Sequence, residues 1–318
     1  MKSLSRREKE KEDAKEASGM ASRYPLIRGL RILFLSLLLF FVAVFFYAYL
    51  TGGEMRVLSL LGGEGVGVVL IEGTIDDSRE VIRDLKQFGE ANGIKAVVVR
   101  IDSPGGAVAP TQEIYEEVLK LRKKKPVIAS LSGMAASGGY YIASACEKIV
   151  ANPGTLTGSI GVIMELGNIE ELMRKLGLKG YSIKSGPHKD LGSPLRPLSP
   201  EGRVILQALV DNVHGQFVRA VARGRGVPEA KIRKLADGRV YSGEQAMGLG
   251  LVDHLGNMED AIDLAAKRGG IKGLPQVIYS RSETKSWWEK LLFSFFRGRW
   301  AGRESLGLRY EWFPSFLQ

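Results

Sequence analysis

Hydrophobic and polar positions change rhythm several times along this chain. Residues 1–31 are polar and charged, and Ile32 to Leu50 is then a run of nineteen residues without a charge, apolar on every face of a helix. A bilayer-crossing helix needs roughly 20 such residues. A cleaved leader has a shorter apolar run and a small-residue cleavage site, and no such site follows Ala48. The pattern predicts a retained transmembrane anchor at 32–50. Basic residues crowd its N-terminal side, among them Arg23, Arg28 and Arg31, which holds the 1–31 tail in the cytoplasm and places the rest of the chain outside. The glycine-rich stretch 51–65 reads as a linker.

From Val66 the pattern alternates between two periods. Val66–Ile71, Ala96–Ile101 and Val127–Leu131 are short runs rich in β-branched residues. Between them lie Ser78–Asn92 and Thr111–Lys124, and in the second Ile114, Val118 and Leu121 recur at helical spacing. Strand–helix–strand alternation predicts an α/β domain with a parallel sheet and helices on its faces. Ser199-Pro200-Glu201 opens a long helix, with Ser as cap and Pro at the first turn. Ile205, Leu209, Val213, Phe217 and Val221, at steps of four, give that helix one apolar face. A smaller helix follows Ser242. The domain runs over 66–275. The remainder, 276–318, is a tail in which Trp287, Trp288, Leu291, Leu292, Phe295 and Phe296 repeat in pairs every four residues, flanked by Lys290, Arg297 and Arg299. Such a stripe suits a helix lying on anionic lipid, or one packed on the core or a neighbouring subunit.

Charge sharpens this division. The chain has 45 Lys and Arg against 35 Asp and Glu, a formal net charge of +10. Residues 1–31 hold nine basic and five acidic residues, 281–318 hold seven and four, and the middle keeps 29 against 26. The excess belongs mostly to the ends, which argues against a nucleic-acid-binding core. A single cysteine, Cys146, excludes an internal disulfide and reads as buried packing. His188, His214 and His254 show no metal-ligand spacing, and the glycines of 52–65 fit no phosphate-binding fingerprint. No metal or cofactor is expected.

Two tight glycine turns, each beside a strand-like run, carry the candidate chemistry. One is Asp102-Ser103-Pro104-Gly105-Gly106. The other, Met134-Ala-Ala-Ser137-Gly138-Gly139-Tyr140-Tyr141, places a serine thirty-one residues beyond Gly106. Acyl transfer needs a nucleophile on a sharp turn and unobstructed backbone N–H groups for the developing oxyanion. The serine also needs a base. His188 with Asp190 is one candidate pair, though neighbours on one loop do not easily build a triad. A lysine is the other, if burial lowers its pKa until it is partly neutral. Local sequence does not choose between Lys184 and Lys189.

Taken together, these two turns, Asn152-Pro-Gly154-Thr-Leu-Thr157-Gly158-Ser159-Ile-Gly161-Val, Lys184-Ser-Gly-Pro-His-Lys189-Asp and Gly238-Arg-Val-Tyr-Ser-Gly-Glu-Gln-Ala resemble the motifs of the signal peptide peptidase SppA family in its single-domain form, over roughly 65–265. The resemblance implies a membrane-anchored Ser-Lys protease with the Clp protease/crotonase fold. It implies Ser137 as nucleophile, Lys189 as general base, Ser159 as the hydroxyl that holds the lysine amine, and Gly106 and Gly138 as oxyanion donors. It further implies a homo-oligomer whose serine and lysine come from adjacent protomers, acting on apolar peptides such as remnant signal peptides. Other Ser-Lys proteases of the same fold, the SohB type and the stomatin-partner type, are the nearest alternatives. The 52-residue separation of Ser137 and Lys189 favours SppA. A crotonase-like acyl-CoA enzyme is the alternative of another class.

Overall fold

The computed structural model describes residues 32–43, 64–280 and 309–311. Residues 32–43 are helical, with exposed side chains. Among the described residues no helix is long and apolar enough to cross a membrane. The 1–31 tail, residues 44–50 of the expected anchor, most of the linker and the Trp287–Phe296 stripe lie outside the described residues.

From residue 64 the chain builds a sheet from β1 (Gly65–Glu72), β2 (Ile94–Ser103), β4 (Val127–Ala136), β5 (Lys148–Ala151), β6 (Leu156–Gly158), β7 (Val240–Ser242), β8 (His254–Leu255) and β9 (Gln276–Tyr279). The main path runs β7-β6-β4-β2-β1-β9, and β5 joins β4 to β8. Every pairing is parallel except β6 with β7. Parallel strands need crossovers. These are α1 (Arg79–Glu90), α2 (Val108–Arg122) and the short α3 (Gly138–Ala143), which match the sequence expectation of repeated βαβ units.

Both faces of the sheet are covered, so β2 reads as a nearly unbroken buried run rather than an alternating one. Val66, Val68, Ala96, Val98, Ile128 and Val150 pack against Ala261, Ile262, Ala265 and Ala266 of α8 (Met258–Arg268). On the opposite face, Gly67 lies under the Phe88 ring of α1, where a Cβ would come within 2.8 Å of it. Successive residues of β1 therefore serve opposite layers.

Four further helices complete the domain: α4 (Glu170–Lys175), α5 (Pro200–Arg225), α6 (Glu229–Arg233) and α7 (Gly243–Leu249). Ser199 caps α5 by accepting from Gly202 N at 3.0 Å, with Pro200 in the first turn. The expected apolar face of α5 is only half used. Val213, Phe217 and Val221 are buried, whereas Ile205 and Leu209 are exposed. A reciprocal capping box of Ser242 and Gln245 starts α7.

Two features depart from the domain limits read in the sequence. Gly65 already belongs to β1. Strand β9, which the pattern places in the tail, pairs with β1, and Ser280 N donates to Val68 O at 2.6 Å. The backbone groups of β1 on that side need partners, and β9 supplies them. A short β3 (Gly105–Ala107) pairs antiparallel with β10 (Arg309–Glu311) in a separate two-stranded sheet.

Candidate active site

The sequence places the β4 strand at Val127–Leu131, but it runs on to Ala136 because it changes partner midway. Ile128–Leu131 pair with β5, and Met134–Ala136 pair with β6. The Thr155 hydroxyl donates to Ser132 O at 2.6 Å and the Thr157 hydroxyl to Ala135 O at 2.7 Å, which fixes that second half. β4 therefore delivers Ser137 directly onto α3.

Ser137 sits at this junction with φ 52° and ψ −115°. A non-glycine residue at positive φ is uncommon and costs on the order of 1–3 kcal/mol, held only where the surroundings fix it. Two backbone bonds fix it here. Ser137 N donates to Gly158 O at 2.9 Å, and Tyr141 N donates to Ser137 O at 2.8 Å. A sharp turn between strand and helix is where a serine nucleophile is presented in other folds. Below it, α3 is clamped by aromatic rings. Tyr141 meets Tyr115 of α2 at a centroid distance of 4.9 Å and Phe217 of α5 at 4.8 Å.

Gly158, whose carbonyl meets Ser137, and Ser159 after it also have positive φ, 80° and 49°; the glycine adopts this freely, whereas the serine is strained. Ser159 N donates to Arg239 O at 2.9 Å. Three positive-φ residues thus meet at one point of the fold.

Gly106 lies on β3, which packs beside α3. A Cβ there would meet Ile75 O at 2.3 Å and Ile75 N at 2.5 Å, so no side chain fits. Ile75 N donates to Gly105 O and Ala107 N donates to Ile75 O. Neighbouring backbone groups on a strand point in opposite directions, so the Gly106 N–H points away from Ile75. It faces the edge on which Tyr310 of β10 stands opposite Gly106. That edge accepts an extended chain.

The lysine loop is distinct from this cluster. Lys184 Nζ donates to Asp190 Oδ1 at 2.7 Å and to Pro187 O at 3.2 Å, and Arg196 also pairs with Asp190. Hydrogen bonding from Lys184 leads the effects that hold the Asp190 carboxyl below its ordinary range. Lys189 is exposed, and among the described residues its side chain has no hydrogen bond or ion pair. No hydrogen bond links Lys189 to Ser137 or Ser159 within the chain. His188 does not meet Asp190; its nearest carboxylate is Glu201, at 3.6 Å. The histidine–aspartate pair considered from sequence is therefore not assembled. Cys146 is buried, and burial pushes its thiol up to about 12, so it is no thiolate nucleophile.

Comparison with known proteins decides the lineage. Residues 119–272 match the model of peptidase family S49, and residues 64–155 match that of Clp protease. A candidate protease of Synechocystis sp. is 49% identical over 193 residues, covering 61% of this chain and 69% of that protein.

The chain belongs to peptidase family S49.

It is accordingly a serine-type peptidase. A candidate protease of Methanocaldococcus jannaschii is 37% identical over 209 residues, 66% of this chain and 67% of that protein. A candidate signal peptide peptidase SppA of Enterococcus faecium is 38% identical over 204 residues, 64% of this chain and 59% of that protein. The S49 match takes in Ser137, Ser159 and Lys189, and Gly106 falls within the Clp match. Sequence reasoning singled out the Gly158 and Tyr241 motifs but gave neither residue a task. The structure makes Gly158 O the acceptor for the Ser137 backbone. The only sequence signal for this was a glycine between two polar residues.

Proposed function

We propose that this S49 peptidase is a membrane-anchored serine endopeptidase working with a Ser137–Lys189 dyad on apolar peptides, remnant signal peptides above all. The observation that carries the reading is Ser137 itself, held at φ 52° between β4 and α3 by Gly158. Ser137 Oγ attacks the scissile carbonyl while the neutral Lys189 amine takes its proton. The Gly106 and Gly138 N–H groups receive the oxyanion. Lys189 returns the proton to the leaving amine, and water, activated by the same amine, releases the acyl group. Ser159 orients the lysine. Lys184 is a poor base because its ammonium is already committed to Asp190.

An extended substrate would add antiparallel to β3 at the edge held by residues 309–311, displacing them. The single anchor at 32–50 is supported by its nineteen uncharged residues and by the helical backbone of 32–43. It leaves the peptidase domain on the outer side. Sites shared between copies of the chain are supported by Lys189, whose side chain has no hydrogen bond or ion pair among the described residues. They are supported too by exposed large apolar side chains near it in sequence, including Leu172, Leu176, Leu178, Ile183, Val204 and Leu209. Apolar surface of this kind marks an interface.

The test is labelling of the intact chain by a fluorophosphonate probe. Labelling is expected in wild type and in Lys184→Ala, and is expected to be lost in Ser137→Ala and Lys189→Ala. Labelling that persists in Ser137→Ala overturns the nucleophile.

A further inference from the structure

The Gly238-Arg-Val-Tyr-Ser motif lies about eighty residues beyond the positive-φ residues it touches, Gly158 and Ser159. Strand β7 pairs with β6 so that Thr157 faces Tyr241 and Gly158 faces Val240. The Tyr241 ring lies against Gly158 so closely that a methyl group there would stand 2.5 Å from Tyr241 Cδ2. The ring is 9% exposed, and its hydroxyl donates to Leu235 O at 3.3 Å. Two residues earlier, Arg239 O takes the Ser159 N–H at 2.9 Å. The turn that presents this carbonyl is tied by Asp237, whose Oδ1 accepts from Arg239 N at 3.1 Å.

From this packing we infer that Tyr241 is a positioning residue for the nucleophile, acting through Gly158. The deduction rests on the reading of Ser137 as nucleophile. Ser137 keeps its positive φ because its N–H is held by Gly158 O. Gly158, at φ 80°, is as flexible as any glycine and keeps that carbonyl in place only while its neighbours confine it. Movement of Gly158 away from Ser137 would need space on the β7 side, and the Tyr241 ring fills it. Glycine is required at 158 for two reasons at once, its conformation and the ring. Arg239 O fixes the other end of the same peptide group by accepting from Ser159 N. Geometry at a reacting centre tolerates little displacement: a shift of about 1 Å costs on the order of 10²-fold in rate. The Tyr241 ring thus acts on the catalytic step without touching substrate.

Steady-state kinetics and fluorophosphonate labelling of the full chain test this. Tyr241→Phe keeps the ring and is expected to stay within twofold of wild type. Tyr241→Leu is expected to lose at least tenfold in kcat and in labelling rate, with KM changed less than threefold. Val98→Ala, in the sheet core, is the stability control: it lowers the melting temperature and leaves kcat as it was. If Tyr241→Leu does not fold, Tyr241→Met replaces it under the same criterion. A folded Tyr241→Leu or Tyr241→Met with kcat within twofold of wild type overturns the inference. So does a Tyr241→Phe loss as large as that of Tyr241→Leu, since the hydroxyl rather than the ring would then matter. If Ser137→Ala still labels, the nucleophile reading fails instead, and the two failures are told apart.

Discussion

At the scale of single residues, the site is held by conformations that its side chains disfavour. Ser137 at φ 52° and Ser159 at φ 49° are strained, and both are buried. Strain of this kind persists where function requires it. Ser137→Gly would relieve it, offset in part by the greater freedom of glycine in the unfolded chain. The variant is expected to gain about 1 kcal/mol, a rise of about 2–4 °C in melting temperature for a domain of this size, while losing all turnover. Ser137→Ala keeps the strained backbone and should melt like wild type, equally inactive; calorimetry beside a peptidase assay checks both. Ser137, Gly106 and Gly138 stood out in the sequence because small residues crowded beside strand-like runs signal sharp turns. The strain at Ser137 did not, because a positive φ at serine is held by its bond to Gly158 and has no signature of its own. Local sequence likewise leaves Lys184 and Lys189 equal; the structure adds that Lys184 pairs with Asp190.

The elements around the site show why tertiary contacts set their ends. β4 was legible only as far as Leu131, where the β-branched run stops. Its last five residues are Ser, Gly, Met, Ala and Ala, which become strand because β6 pairs with them. α3, six residues long, has little stability of its own and depends on the Tyr115–Tyr141–Phe217 stack. Phe217→Ala is expected to cost about 3–5 kcal/mol and to loosen Ser137 with it, read by denaturant unfolding. A second tie joins α5 to β5. Arg225 Nη1 meets Asp253 Oδ2 at 2.8 Å, and Lys148 Nζ meets Asp253 Oδ1 at 3.0 Å. Burial alone would raise the Asp253 carboxyl, but hydrogen bonds and charge from Arg225 and Lys148 outweigh it and hold it below the ordinary 3.8. A carboxyl lowered on folding stabilises the protein above its unfolded value, and that stability is lost as pH falls through the folded one. Wild type is therefore expected to lose stability below about pH 4. Asp253→Asn should be less stable at neutral pH, by about 3–5 kcal/mol if Arg225 is left unpaired, with a flatter acid limb. Melting curves from pH 7 to pH 3 separate the two.

For the whole molecule, a sequence with one serine motif and one lysine motif yields a chain whose described residues do not join them. Parallel sheet and layered helices were legible because strand and helix periods alternate from Val66 to Leu131, and the family was legible only through the resemblance of its motifs. The apolar face of α5 was legible too, but not its division: Val213 to Val221 face the core, whereas Val204, Ile205 and Leu209 stay exposed in one chain. A helix pattern records that a face is apolar, not whether its partner is the same chain or another. If the partner is a second copy, each complete site combines Ser137 of one protomer with Lys189 of the next. Ser137→Ala and Lys189→Ala subunits, each inactive alone, are then expected to regain activity when mixed. Random assembly of equal amounts brings an intact serine to an intact lysine at a quarter of the interfaces, so recovery should approach about one quarter of wild type. Leu172→Glu with Leu176→Glu places charge on the exposed apolar surface and is expected to shift the protein to monomers in sizing experiments, with loss of turnover. A monomeric double variant that keeps wild-type turnover, or mixtures that stay inactive while co-assembling, would place serine and lysine within one chain.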